Sequence, residues 1–313
     1  MKWFFVLNDF APRFEEYAQM TKVAVETAQT KTKLEPYLIY EGKENELTKW
    51  LKKRGVKIIF HRTPHYEKLK IQKPENAFKI GAGAFLKVEI PQVLKKYQME
   101  DKYVLFTDCD VMFTGDVVEY CKQIKCEYFA AAPENDPNNW SYVNTGVMCI
   151  NVPNMLKVYD EFNEFIDKNI SQFYSQAFDQ GAINQFFKGK WDRLDVAMNW
   201  KAYWPSNPDA KIIHFHGPKP CQADFIKGKV GVKQQILALA NKNFWEYTAK
   251  WQEVYTKLTF NQEEEQPPMR LSRLQNIQAE MDDYKSKLKQ IKTKLKQLSI
   301  PGVQQSYISL YDS

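Results

Sequence analysis

The sequence predicts an α/β fold, a mostly parallel mixed sheet with helices on both faces, followed by a separate helical extension. Three observations predict it. Short apolar runs alternate with stretches of helical periodicity through the N-terminal two thirds of the chain. Those runs are near-continuously apolar, as in strands covered on both faces. The central run, Tyr103-Val104-Leu105-Phe106, meets a charged pair in Thr107-Asp108-Cys109-Asp110, which reads as a buried strand ending at a site.

The elements follow in order. Lys2 to Leu7 is a buried strand. Phe14, Tyr17, Ala18, Thr21, Val25 and Ala28 fall at spacings of three and four, a helix. Tyr37 to Tyr40 is a second strand, Glu46 to Arg54 a helix stopped by Gly55, and Val56 to Phe60 a third strand. Phe78 to Tyr97 contains a helix in which Pro91 marks a break or a new start. After the strand that carries the acids come strands at Tyr128 to Ala132 and Val147 to Asn151. An amphipathic helix from Asn154 to Ile170, a helix from Asp179 to Phe187 and a short strand from Lys211 to Phe215 complete the region. Val232 to Leu258 is helical and rich in Trp and Tyr, and NQEEEQPP at 261–268 reads as a linker. The predicted division is a sheet domain at 1–222, a helical extension at 223–260, the linker at 261–268, a heptad helix at 269–300 and a tail at 301–313.

The heptad helix rests on Leu274, Ile277, Met281, Tyr284, Leu288, Ile291, Leu295 and Leu298, which step by three and four alternately. Met269 to Ile300 holds eight basic and three acidic residues. Two partners suit such a stripe. One is a second copy in a coiled coil through 274–298, making a homo-oligomer. The other is an anionic membrane surface touched peripherally. Packing back on its own domain is a third use.

Composition bounds the class. Apolar residues make up 44% and aromatics 14%, enough for a sizeable core. The net charge of +6 is mild and concentrated towards the C-terminus, and no nucleic-acid partner is expected. The apolar start, Trp3 to Leu7, stops at Asn8-Asp9, so no signal peptide is expected. No run approaches the roughly 18 apolar residues of a membrane span. The five cysteines form no CxxC pair, against a disulfide frame or a zinc site. A reduced, cytoplasmic protein is expected.

The chemistry starts at Asp108 and Asp110. In an extended chain residues i and i+2 point the same way, so both carboxylates aim at one point. Like charges need a cation between them, and oxygen ligands suit Mg²⁺ or Mn²⁺. A metal so held usually grips substrate phosphates. The plain alternative is a strand-end turn with two solvated acids, since DxD is short and common by chance.

Five stretches in order change that balance. They are Val6-Leu7-Asn8-Asp9-Phe10, Ala82 to Val88, the DxD strand, Tyr142 to Asn151 and Ile212-Ile213-His214-Phe215-His216-Gly217-Pro218-Lys219-Pro220. Together they resemble glycosyltransferases of family 8, nucleotide-sugar-dependent enzymes of the Rossmann-like GT-A fold. The fourth matches the family's N-x-G-V-x-x-x-N. The resemblance implies that Asn8 and Asp9 meet uracil and ribose, that Lys87 stands where the family carries a phosphate-binding Arg, and that Asn144 contacts donor hydroxyls. It implies that Asp179-Gln180 lies under the sugar at the anomeric carbon. The last stretch is one residue shorter than the family's H-x-x-G-x-x-K-P, which leaves open the reach of Lys219 and whether His214 or His216 is the metal ligand.

The residues suit those roles. His214 ends a strand and can offer a neutral imidazole beside Asp108 and Asp110. Gly217 lets backbone approach a pyrophosphate, and Lys219 adds a compact positive charge. Each also has an ordinary reading: a helix N-cap for Asp179, a solvated helix residue for Lys87, a polar turn for Asn8 and Asp9, a strand-edge histidine for His214. Glu134, Asn135 and Asp136 follow a strand and border either the donor sugar or plain solvent. Trp140, Trp191, Trp200, Tyr203 and Trp204 suit sugar stacking or core packing.

The function implied is transfer of a hexose from a UDP-sugar to a glycan, lipid-linked or other hydroxyl acceptor, with Mn²⁺ or Mg²⁺ and retention of configuration. Two rivals remain. A haloacid-dehalogenase phosphatase also ends a strand in DxD, but has Thr or Val at the fifth position, where this chain has Met112. A scaffold could keep an inactive transferase domain and assemble through 274–298.

Overall fold

The computed structural model describes residues 1–72 and 74–264. Ten strands are described: β1 Lys2–Asn8, β2 Glu35–Glu41, β3 Lys57–Phe60, β4 Tyr103–Thr107, β5 Val111–Phe113, β6 Phe129–Pro133, β7 Val143–Asn151, β8 Asp192–Arg193, β9 Trp200–Lys201 and β10 Ile212–His214. The helices are α1 Phe14–Lys31, α2 Glu46–Lys53, α3 Tyr66–Lys70, α4 Glu75–Ala84, α5 Ile90–Lys96, α6 Val118–Gln123, α7 Val152–Lys157, α8 Tyr159–Phe173, α9 Asp179–Phe186, α10 Ala223–Gly228, α11 Gln234–Leu239 and α12 Lys242–Glu264.

Seven strands form one sheet in the order β3-β2-β1-β4-β7-β6-β8, and β5-β10-β9 form a second. Strands β1 to β4 pair in parallel, while β7 runs antiparallel to both β4 and β6. The near-continuous apolar runs have a simple cause. On β1, Trp3, Phe5 and Leu7 join one core cluster with α1 and α2, while Phe4 joins a second with α5, α8 and α9. Both faces of the sheet are covered, so neither alternates to polar. Each fully buried large side chain contributes about 1.5–3 kcal/mol.

The structure subdivides several predicted elements. The helix expected over Phe78–Tyr97 is α4, a 3-10 turn at Phe85–Glu89, and α5 with Pro91 in its first turn. Proline is tolerated there because that N–H has no helical partner to lose. The helix expected over Asn154–Ile170 is α7 and α8, divided at Val158. The last strand of the sheet domain, expected over Lys211–Phe215, covers Ile212–His214.

The largest difference is at the acids. Asp108-Cys109-Asp110 is not strand; it is the crossing from β4 to β5, that is, from one sheet to the other. The alternation expected of a strand survives the crossing. Cys109 turns away and donates to the Val6 carbonyl at 3.4 Å, while the two acids face one point.

The five cysteines are free. By internal contacts the chain forms two units, Met1–Tyr255 and Thr256–Ser313. Helix α12 runs on to Glu264, into the stretch read as a linker. The heptad helix and tail lie outside the described residues. No helix among the described residues is long and apolar enough to cross a membrane.

Candidate active site

A cleft of about 300 Å³ opens where β1 and β4 end. Asp108 and Asp110 enter it from the crossing after β4. His214 enters from the end of β10, which pairs with β5 so that His214 stands opposite Val111. His214 Nε2 lies 3.3 Å from Asp110 and 3.9 Å from Asp108, and one ligand atom from each of the three residues falls within 4.8 Å of the others. His216 turns elsewhere: it meets Glu134 at 3.0 Å and the Tyr203 hydroxyl at 3.1 Å. Geometry therefore selects His214 to stand with the acids. His61 and His65 pair with Glu89 and Asp167, at 3.0 and 2.7 Å.

Gly146 explains how close these groups come. A Cβ there would lie 2.2 Å from the His214 ring and 2.8 Å from the Asp108 carboxylate. Any side chain would displace one of them. Backbone holds the corner as well, with Asp108 N–H donating to the Gly146 carbonyl at 2.7 Å. The β6–β7 register shifts between Ala131 and Ala132 beside this segment, a break that re-aims side chains.

Two lysines neutralise the acids from different sides. Lys219 pairs with Asp110 and donates to the Phe215 carbonyl at 2.9 Å, so the shortened motif does reach the centre. Gly217, at φ +90°, makes the turn between His216 and Lys219. Lys87, 5% exposed, meets Asp179 at 2.7 Å and Asp108 at 3.4 Å, and donates to the Thr145 carbonyl at 3.0 Å. The solvated-helix reading of Lys87 is thereby removed. Its ammonium is tied to the acids near Asp179.

These contacts set the protonation states. Burial opposes charge on Asp110, yet Lys219 and His214 hold it well below the ordinary carboxylate range. Burial, and then the neighbouring Asp110 charge, push Asp108 up against the pull of Lys87. Burial holds the His214 ring below its usual value despite Asp110. Burial opposes charge on Glu134 too, but His216 and Asn144 bring its carboxyl down to about 2.

Asp179 is the first residue of α9, and its N-cap position is Phe178, which makes no side-chain cap. The Asp179 carboxylate instead takes Lys87 and the Thr145 hydroxyl at 3.0 Å. Gln180 Oε1 accepts from Asn144 Nδ2 and from Thr145 N–H, both at 3.1 Å. Just before them, Ala177 and Phe178 hold positive φ of 55° and 51°, strained backbone that persists only where the surroundings enforce it. Asn8 is buried; its Nδ2 donates to Lys79 O at 2.9 Å, and its Oδ1 has no partner among the described residues. Asp9 departs from the expectation. It accepts the Lys43 N–H at 2.8 Å and lies outside the residues lining the cleft.

A second depression of about 350 Å³ shares Glu134, Ala177 and Gln180 with the first and adds Asn139, Tyr142 and Gln176. The tryptophans considered for sugar stacking line neither depression; Trp200 and Trp204 pack edge to face at 5.1 Å. Sequence reasoning missed Asn199 and Lys201, both fully buried. Asn199 Oδ1 meets His214 Nδ1 at 2.9 Å and Lys201 Nζ at 2.8 Å. Nothing in their local sequence marks them.

No protein-family model matches the chain, and no curated protein matches it. Among solved structures, the apo form of the glycosyltransferase GlyE of Streptococcus pneumoniae TIGR4 superposes with TM-score 0.54 at 16% identity, covering 83% of this chain and 63% of GlyE. The chain thus spans less than two thirds of GlyE. The galactosyltransferase LgtC, in complex with donor and acceptor sugar analogues, superposes with TM-score 0.52 at 17% identity over 76% of this chain and all of LgtC. The fold of this chain is therefore the GT-A fold of glycosyltransferases.

Proposed function

We propose that this GT-A-fold chain is a metal-dependent hexosyltransferase that moves a sugar from a UDP-sugar to a hydroxyl acceptor with retention. One observation carries the reading: two carboxylates and an imidazole converge within 4.8 Å in a cleft, with a lysine beside them. That donor set fits a hard divalent ion such as Mn²⁺. Asp108, Asp110 and His214 would hold it, and when bound it neutralises charge on the leaving diphosphate.

The chain's own groups do the rest. Lys219 is the cation nearest the centre and serves the departing diphosphate. Asn8 lines the cleft, and its Oδ1, buried without a partner among the described residues, becomes an acceptor for the nucleoside once the side chain turns outward. Asn144 presents its side chain between Glu134 and Gln180, where donor hydroxyls are read. Asp179 is held by Lys87 and Thr145, and Gln180 by two donors, so neither is free to attack the anomeric carbon. A front-face route, with acceptor and leaving group on one side, suits that wall. The acceptor takes the adjoining depression beside Tyr142 and Asn139. The proposed self-association through 274–298, with a membrane surface as the alternative, rests on residues outside the described ones.

Incubating the chain with UDP-sugars and Mn²⁺ tests the reading. Slow donor hydrolysis, lost in excess EDTA and restored by Mn²⁺, is expected; full turnover in EDTA sinks the metal assignment. Within it, Gln180→Ala should lower turnover more than UDP affinity, whereas Lys219→Ala should lower both. Equal losses of UDP affinity would place Gln180 wrongly.

A further inference from the structure

We propose that Asn199, backed by Lys201, is a positioning residue that sets which nitrogen of His214 faces the cation. The inference rests on the reading of Asp108, Asp110 and His214 as a cation centre. A lysine ammonium has donors and no acceptor. The Gly146 backbone N–H can only donate, so the Asn144 atom that it meets at 3.0 Å is Oδ1. The Asn199 atom 2.8 Å from that oxygen is then Nδ2, and the Asn199 atom facing Lys201 at 2.8 Å is the carbonyl oxygen, Oδ1. That same oxygen lies 2.9 Å from His214 Nδ1. A carbonyl oxygen only accepts, so Nδ1 carries a proton. A neutral ring then presents a bare Nε2 towards Asp110 and Asp108, at 3.3 and 3.9 Å. When the ring is neutral, three lone-pair donors converge with no proton among them, which is the condition for binding a cation.

The far end of the amide agrees. Asn199 Nδ2 donates to Asn144 Oδ1 at 2.8 Å, and that oxygen also accepts the Gly146 N–H at 3.0 Å. Asn199 is thus held in one orientation from both ends. Rotating it would set Nδ2 against the ammonium and oxygen against oxygen. The arrangement also ties the centre to the proposed sugar-reading residue, because the amide that orients His214 is bonded to Asn144. Removing a residue that hydrogen-bonds a metal-ligating histidine typically changes metal affinity by about 10–100-fold.

The test is Mn²⁺ binding, alone and with UDP, read by the loss of the free-ion electron paramagnetic resonance signal on the full chain stripped of metal. Thermal melts check folding. Asn199→Leu removes the acceptor on His214 and should weaken Mn²⁺ binding by about 10–100-fold. Asn199→Asp keeps that acceptor and Lys201 while losing the donor to Asn144; it should bind clearly tighter than Asn199→Leu, without that variant's loss of about 10–100-fold. Lys201→Met should weaken binding by about tenfold. Wild-type affinity in Asn199→Leu overturns the inference, and so does a loss in Asn199→Asp as large as in Asn199→Leu. The second result would trace the effect to the broken Asn144 contact. If Asn199→Leu does not fold, Lys201→Met decides, and affinity unchanged there overturns the inference. Wild-type chain that takes up no Mn²⁺ at millimolar concentration fells the cation reading itself, and this inference with it.

Discussion

Lys87 and Lys201 are both sealed from solvent, one in the wall of the cleft and one behind His214, and they meet opposite electrostatics. Burial disfavours the charge on each. At Lys87 the carboxylates of Asp108 and Asp179 outweigh burial, and its pKa ends above the ordinary value. Lys201 has an amide and a backbone carbonyl for partners, and burial brings it from 10.5 down to about 7. Burial alone therefore says nothing about the state of a lysine; the countercharge decides. A lysine tied to acids holds a wall together. A lysine buried without them costs stability, and a cost of that kind is expected where a site needs the group.

The comparison breaks hardest at Asp108, which Lys87 shares with the proposed cation centre. Asp108→Asn should cut transfer on the order of 10³-fold while leaving the chain folded. Donor turnover and circular dichroism together check this, and near-wild-type turnover would detach Lys87 from the centre.

Opposite signs of stability follow for the two lysines. Lys87→Met strands Asp179 and Asp108 and should destabilise by about 3–5 kcal/mol. Lys201→Met removes an ammonium that burial disfavours and should raise the unfolding midpoint by roughly 5 °C. Melting both variants beside wild type at pH 6.5 checks the pair; equal shifts would erase the distinction.

A pH series sharpens it. The folded pKa of Lys201 lies below its unfolded one, so the folded state gives up this proton first. Between about 7 and 10.5 the unfolded chain binds more protons, and stability from this group rises with pH. The advantage of Lys201→Met should be full below pH 7 and fade towards pH 10. An advantage constant across that range would locate the effect in packing rather than charge.

The smallest effect is expected from truncation at Pro268. The difference between the two lysine variants should persist, and so should transfer to a small soluble acceptor. Light scattering should then find a monomer. A full-length chain that is monomeric at micromolar concentration without lipid would remove the coiled coil and turn the test to liposome flotation.

Much of the site was legible because its residues stand at the ends of apolar runs. Asp108, Asp110 and Lys219 follow, and His214 ends, a strand of recognisable composition, and strand ends are where buried chains emerge. Asn8 and Asp9 show the resolution of that reading. Asn8 ends β1 and Asp9 opens the turn after it, and only Asn8 turns into the cleft. Pro91 marked the new start that begins α5, whereas the division of the next helix at Val158 was not legible.

By itself the sequence determined the covered sheet, the pair of acids at the end of a buried strand, the absence of paired cysteines and the order of the motifs. These follow from composition and periods of two and 3.6, which are local. Tertiary structure alone decided that His214 and not His216 joins the acids, that Lys219 reaches Asp110 and that Lys87 is tied to Asp179. It also set Lys201 behind Asn199, and the space beside His214 that only glycine leaves at position 146. Those facts depend on distances between segments far apart in the chain, where pairing of β5 with β10 and of β4 with β7 sets the register, and no local pattern encodes a register between distant strands.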